Sequence, residues 1–221
     1  MENEFSIALG PLVISISIIT TWGIMLVITV IAWLSTRHLN MLPNSLQTTV
    51  EGIVAAIDEA VTAVAPEHGR QIMPFIATLW LFLIIANLVG LIPGLHSPTR
   101  DLSVTSALAI LVFFSVHWFG IKTQGLKKYL HHYLTPSPIL LPFHIISEFT
   151  RTLALAIRLF GNMMSLEMAA MLILLVAGFL APIPILMLHI IEALVQAYIF
   201  GMLALIYLAG AIQSQQLNTQ E

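Results

Sequence analysis

No cysteine occurs anywhere in this 221-residue chain, which excludes a disulfide framework and any zinc or thiol-redox site built on cysteine. Charge is nearly as scarce: Asp, Glu, Lys and Arg make up 9% of the residues, where soluble domains carry roughly 25%. The 8 basic residues are scattered and the net charge is -3, so no basic face for nucleic acid can be assembled. The first residues, Met1, Glu2, Asn3 and Glu4, lack the positive region of a cleaved secretory signal, and the N-terminus is expected to be mature and translocated. What remains is 58% hydrophobic, with a mean hydropathy of +0.96. That composition belongs to an integral membrane protein.

Three segments have the length of ordinary spans. Residues 11–34 carry no charge and would extend about 36 Å as a helix, against a hydrocarbon core of about 30 Å. Residues 71–92, with Pro74 near the start and Asn87 near the end, form the second span, and residues 102–121 the third. Residues 44–65 behave differently. Leu46, Val50, Ile53, Val54, Ile57, Val61 and Val64 recur every three or four positions, while Glu51, Asp58, Glu59 and Thr62 fill the other face. This is an amphipathic helix, capped by Asn44 and ended by Pro66, whose acidic face favours protein contact over headgroups.

The last two apolar segments are too long to stand upright. Residues 143–177 contain no proline and would run about 52 Å, and residues 185–212 about 42 Å. They must tilt steeply or break, and the uncharged turn GFLAPIP joins them. The expected fold class is all-α: a single membrane domain, 1–221, of five membrane-crossing helices plus one amphipathic interfacial helix. Its last two crossing helices form a long, strongly tilted hairpin. With the N-terminus outside, Arg37, Arg70, Lys122, Lys127 and Lys128 fall on the cytoplasmic side and Arg100 outside, as the positive-inside bias requires. The tail QSQQLNTQE is then cytoplasmic.

One residue stands out in this hairpin. Arg158 has no charged residue between Arg151 and itself, or between itself and Glu167, and an arginine keeps its proton at any workable pH. Placing it at a helix centre costs roughly 2.5–3.5 kcal/mol on insertion scales. It is either a structural arginine, paired or snorkelling, or a fixed positive charge on an ion path. Arg151 and Asn162 lie close to its face at spacings of seven and four, and Glu148 precedes Arg151 by three. On the final segment His189, Glu192 and Gln196 share a face. Glu148 with Arg151 could equally be a headgroup-level ion pair, and Asn87, Asn162 and Gln196 could be helix-to-helix glue. Glu167, His189 and Glu192 gather toward the hairpin turn, where titratable groups at lipid depth suggest a proton or cation relay.

Other chemistries fit poorly. His144 with Glu148, or His189 with Glu192, is half of a carboxylate-bridged metal site, which needs such motifs from two helices and further carboxylates. Neither a metal nor a cofactor is expected. Gly120 to Gly125 has P-loop glycine spacing, but Leu126 stands where the phosphate-binding Lys is required. Ser147 and Ser165 lack a base partner for an intramembrane hydrolase. A self-contained secondary transporter is the main rival, although the first half shows no repeat of the hairpin.

The motifs carry a resemblance. RLFGN at 158–162 with Glu167 nine residues after the Arg, NLVGLIPG (87–94), PTRDLSVTSALA (98–109), GIKTQG (120–125), ISEFTR (146–151) and HIIEALVQAYIFGMLALIYLAGA (189–211) resemble, in order, subunit a of the F-type ATP synthase membrane sector. Thr152 stands where that family commonly has proline. The resemblance implies a non-catalytic stator subunit in a bacterial inner membrane, with a ring of c subunits and peripheral-stalk b subunits as partners. It implies that Arg158 is the essential arginine and that Glu167, His189 and Gln196, less firmly Glu192, line an outward half-channel. A cytoplasmic half-channel near Glu148 and Asn87 completes the expected path. The coupling ion that the resemblance implies is a proton, with sodium as the alternative.

Overall fold

The computed structural model describes residues 7–9, 12–37, 45–92, 95–126, 141–178 and 183–213. Asn44, Lys127 and Lys128, the centre of the turn after residue 178, and the tail beyond residue 213 lie outside them. The described residues form six α-helices: α1 (Ile16–Arg37), α2 (Ser45–Val64), α3 (Gly69–Leu88), α4 (Leu102–Gln124), α5 (Leu141–Ala177) and α6 (Ile183–Gln213). All except α2 are long and apolar enough to cross a membrane.

The first span begins later than its hydropathy suggests. Ile7–Leu9 and Leu12–Ile14 pair as a short antiparallel ladder, in keeping with the β-branched Val13 and Ile14. Ser15 then sets the helix start, its Oγ accepting from the Ser17 N–H at 3.3 Å. Asp101 does the same for α4, its Oδ1 accepting from the Ser103 N–H at 2.9 Å and from the Ser103 hydroxyl at 2.8 Å.

α2 keeps Glu51, Asp58 and Glu59 exposed and lays its apolar edge, Ile57 and Val61, on α3. Its end at Val64 leaves Pro66 in the following turn, where the missing N–H costs no helical bond.

α5 and α6 are unbroken over 37 and 31 residues, about 55 Å and 46 Å. Pro142 and Pro184 fall in their first turns, where no intrahelical N–H bond is lost. Thr152 keeps the backbone donor that proline would remove, and its hydroxyl bonds the Glu148 carbonyl at 3.0 Å. Gly178, at φ 84°, closes α5 in a conformation other residues avoid.

The core lies where α3, α4, α5 and α6 meet, around Ile72, Ile76, Leu83, Val112, Leu159, Phe200 and Leu205. α1 is peripheral, with Ile24 its buried residue, and its apolar surface suits lipid. α3 packs on α6 at Gly201, where a Cβ would overlap the Trp80 indole. Trp80 stacks on Tyr198 with ring centroids 6.1 Å apart and donates to the Tyr198 carbonyl at 3.4 Å. Gly201→Ala should therefore destabilise the subunit by about 1–3 kcal/mol through overpacking. The check is the thermal unfolding midpoint of the purified complex, and Trp80→Leu in the same chain should restore it.

Candidate functional site

Leu155, Ala156, Leu159, Met163 and Leu166 form the buried stripe of α5, and their three- and four-residue spacing fixes what the rest of the helix shows to its surroundings. Arg158 falls on the flank of this stripe and is exposed. Among the described residues no hydrogen bond, ion pair or ring contact engages it.

Two contacts on either side of Arg158 tie α5 to α6. Arg151 lies over the Tyr207 ring at 4.6 Å, and Asn162 Nδ2 donates to Gln196 Oε1 at 2.8 Å. Arg151 precedes Asn162 by eleven residues and Gln196 precedes Tyr207 by eleven, so the two helices run antiparallel in one register. Gln196 is buried, and its Nε2 has no acceptor among the described residues.

Toward the C-terminal end of α5, Glu167 is held by the segment that joins α3 to α4. His96 Nδ1 lies 2.9 Å from Glu167 Oε1, and Arg100 lies 3.3 Å from Oε2. Oε2 is buried and lacks hydrogen-bond geometry despite that charge contact. A cavity of about 340 Å³ borders the carboxylate, with Ser17, Arg100 and Asp101 in its wall. Next to it runs a buried polar chain. The Ser97 hydroxyl donates to the Ala86 carbonyl at 2.8 Å and meets the Thr99 hydroxyl at 2.6 Å. Thr99 donates to Asn87 Oδ1 at 2.8 Å, and Asn87 Nδ2 donates to the Ala193 carbonyl at 3.1 Å. His189 Nε2 reaches the Asn87 carbonyl at 3.3 Å.

This corrects the sequence expectation for Asn87. It belongs to the Glu167 and His189 end, because α3 delivers its C-terminus there. Glu148 lies nineteen residues before Glu167 on α5, about 28 Å away along the axis. Glu148 instead faces α4, where His117 Nε2 stands 3.6 Å from its Oε2 while His117 Nδ1 bonds the Phe113 carbonyl at 2.9 Å. No Glu148–Arg151 ion pair forms among the described residues, and Arg151 lies over Tyr207. Glu167 and His189 are not in direct contact, since Glu167 meets His96 and Arg100 while His189 reaches Asn87, to which Thr99 of the same loop bonds, and Glu192 is partly buried with no polar partner among the described residues.

Sequence reading missed His96, Thr99 and the pairing of Arg100 with Glu167. The loop holding them has no periodicity from which facing could be inferred, and a lone His between Leu95 and Ser97 carries no spacing signal.

Five apolar helices, the last two an over-length antiparallel pair bearing arginine, carboxylate, imidazole and amide groups, define a multi-pass membrane protein. The family profile described as ATP synthase A chain matches residues 18–209. The chain is 66% identical over 206 residues to ATP synthase subunit a 2 of Pelobacter propionicus, covering 93% of this chain and 90% of that protein. It is 65% identical over 205 residues to ATP synthase subunit a 1 of Hahella chejuensis, covering 93% and 87%. Against ATP synthase subunit a of Legionella pneumophila it is 55% identical over 218 residues, covering 98% and 95%. The chain belongs to the ATP synthase subunit a family.

Proposed function

We propose that this subunit is the stator of a bacterial rotary ATP synthase. It passes protons to and from carboxylates on a rotating c-ring through two offset half-channels, coupling ion flow to ATP synthesis or hydrolysis carried out elsewhere in the complex. The observation that carries this reading is Arg158, exposed and without a partner among the described residues, set between two polar clusters on one unbroken helix. A cation left without a partner at lipid depth is costly. An acidic site on a neighbouring subunit would offset that cost.

The basic residues Arg37, Arg70, Lys122, Lys127 and Lys128 against Arg100 orient the N-terminus outward and the C-terminus inward in an inner membrane. The Glu167, His96, Arg100, Asn87 and His189 cluster then opens outward, and Glu148 with His117 opens to the cytoplasm. Asn162 and Gln196 lie one turn beyond Arg158, and Glu192 one turn further toward the outside. The helices α5 and α6 tilt steeply, because about 55 Å and 46 Å must fit a core of about 30 Å. A ring carboxylate arriving from either side meets Arg158. At about 4 Å and an effective dielectric of about 20 their attraction is about 4 kcal/mol, enough for a protonated site to release its proton. The membrane potential supplies about 2.3 kcal/mol per charge per 100 mV. Peripheral-stalk b subunits hold this chain still while the ring turns.

Single-cysteine cross-linking tests the ring contact, and the cysteine-free chain gives it no background. Ala154→Cys and Ser165→Cys, four before and seven after Arg158 and both exposed, share its face. Each should form a disulfide with a cysteine placed beside the ring carboxylate. Leu153→Cys, about 140° around the helix from Arg158, should not. Cross-linking from Leu153 alone would reject the proposed ring-facing surface.

A further inference from the structure

We propose that His96 is the residue through which protons reach and leave Glu167, with Arg100 as the positioning residue that turns the carboxylate toward it. This rests on the reading of Glu167 as part of the outward path. The two carboxylate oxygens are not equivalent. Oε2 is buried, accepts no hydrogen bond among the described residues and lies 3.3 Å from the Arg100 guanidinium, which does not exchange its protons as an acid or base at workable pH. Exchange therefore falls to Oε1, which is covered by His96 Nδ1 at 2.9 Å. The Glu167 side chain is 14% exposed and that of His96 is 47% exposed. Imidazole can take a proton on one nitrogen while giving one from the other. His96 Nδ1 is engaged with the carboxylate, and Nε2 has no partner among the described residues.

The step balances without a further reactant. A hydronium ion outside gives its proton to Nε2, forming an imidazolium and leaving water. The Nδ1–H bond then breaks as an O–H bond forms on Oε1, giving a neutral carboxylic acid and a neutral ring protonated on Nε2. When the half-exposed ring swings away from the carboxylate, water takes the Nε2 proton and water returns one to Nδ1, which restores the starting tautomer with no net proton gained or lost, and outward transfer runs the same steps in reverse. Asp101 caps α4 through Ser103 and borders the same cavity as Arg100, so the cluster also holds a carboxylate outside the relay.

The test uses the complete complex in proteoliposomes, with proton flux through the membrane sector as readout for His96→Ala, His96→Gln and Glu167→Ala. Both His96 variants should slow flux by about tenfold, below the full range for a positioned acid–base group because water substitutes in part. Millimolar imidazole should restore His96→Ala and leave the wild type unchanged. Wild-type flux in His96→Ala would overturn the proposal, since water in the adjoining cavity would then serve Glu167 directly. A slow His96→Ala that imidazole leaves slow would also overturn it, showing a structural role. If Glu167→Ala itself conducts at the wild-type rate, the reading of Glu167 as a path residue fails, and this inference fails with it. A complex that moves sodium and no protons overturns the relay as well.

Discussion

Arg158→Ala should abolish ATP-driven proton pumping, lowering it by about a hundredfold or more, the scale on which removal of a preorganised electrostatic group is felt. The loss should occur in a complex that still assembles. No described group of this chain pairs with Arg158, so its removal leaves no counter-charge stranded inside the subunit, and α5 keeps its buried stripe of Leu155, Leu159 and Met163. A structural arginine would behave differently, since truncating one partner of a buried ion pair costs about 3–5 kcal/mol and would deplete the complex. Arg158→Lys should also be severely impaired. A single ammonium loses its proton more readily when desolvated, and it lacks the planar, multi-donor fork of guanidinium. Pumping assays on reconstituted complex, normalised to subunit content, check both variants.

The second large effect is expected at the Glu167 end. Glu167→Leu removes the acceptor of His96 and the charge partner of Arg100 together. His189→Leu removes the imidazole that reaches the Asn87 carbonyl. Each should slow proton flux by about tenfold, part of it surviving because hydroxyl and amide groups of Ser97, Thr99 and Asn87 remain to order water. Flux measured by a pH-sensitive dye in the vesicle lumen checks this. Unchanged flux in both variants would remove the two residues from the path.

Much of this arrangement is legible in the chain because hydrocarbon makes simple demands. Five apolar runs, the amphipathic 44–65 segment and the excess length of the last two helices follow from bilayer thickness and helical rise. Arg158 announces itself by its cost. Contacts across long sequence separations are another matter. His117 meets Glu148, Arg151 meets Tyr207, and His96 meets Glu167. None of these pairings is encoded in spacing along one helix; each depends on how helices and a turn-rich loop pack. Asn87 shows the limit most plainly, since its place at the end of α3 is visible in the sequence while its partners Thr99, Ala193 and His189 emerge only once the loop folds back. α1 starts later than hydropathy indicates for a local reason: Leu12–Ile14 are apolar enough to extend a span, yet Ser15 caps the helix after them.

The central claim is that Arg158 both discharges the ring site and keeps the two half-channels apart. Passive proton conductance of the membrane sector, measured in vesicles after the soluble ATPase is stripped away, tests this most directly when wild type and Arg158→Ala are compared at equal assembly. The account predicts that the variant conducts at least as well as the wild type although it no longer pumps. An assembled Arg158→Ala sector that is proton-tight, or one that still pumps at the wild-type rate, would contradict it.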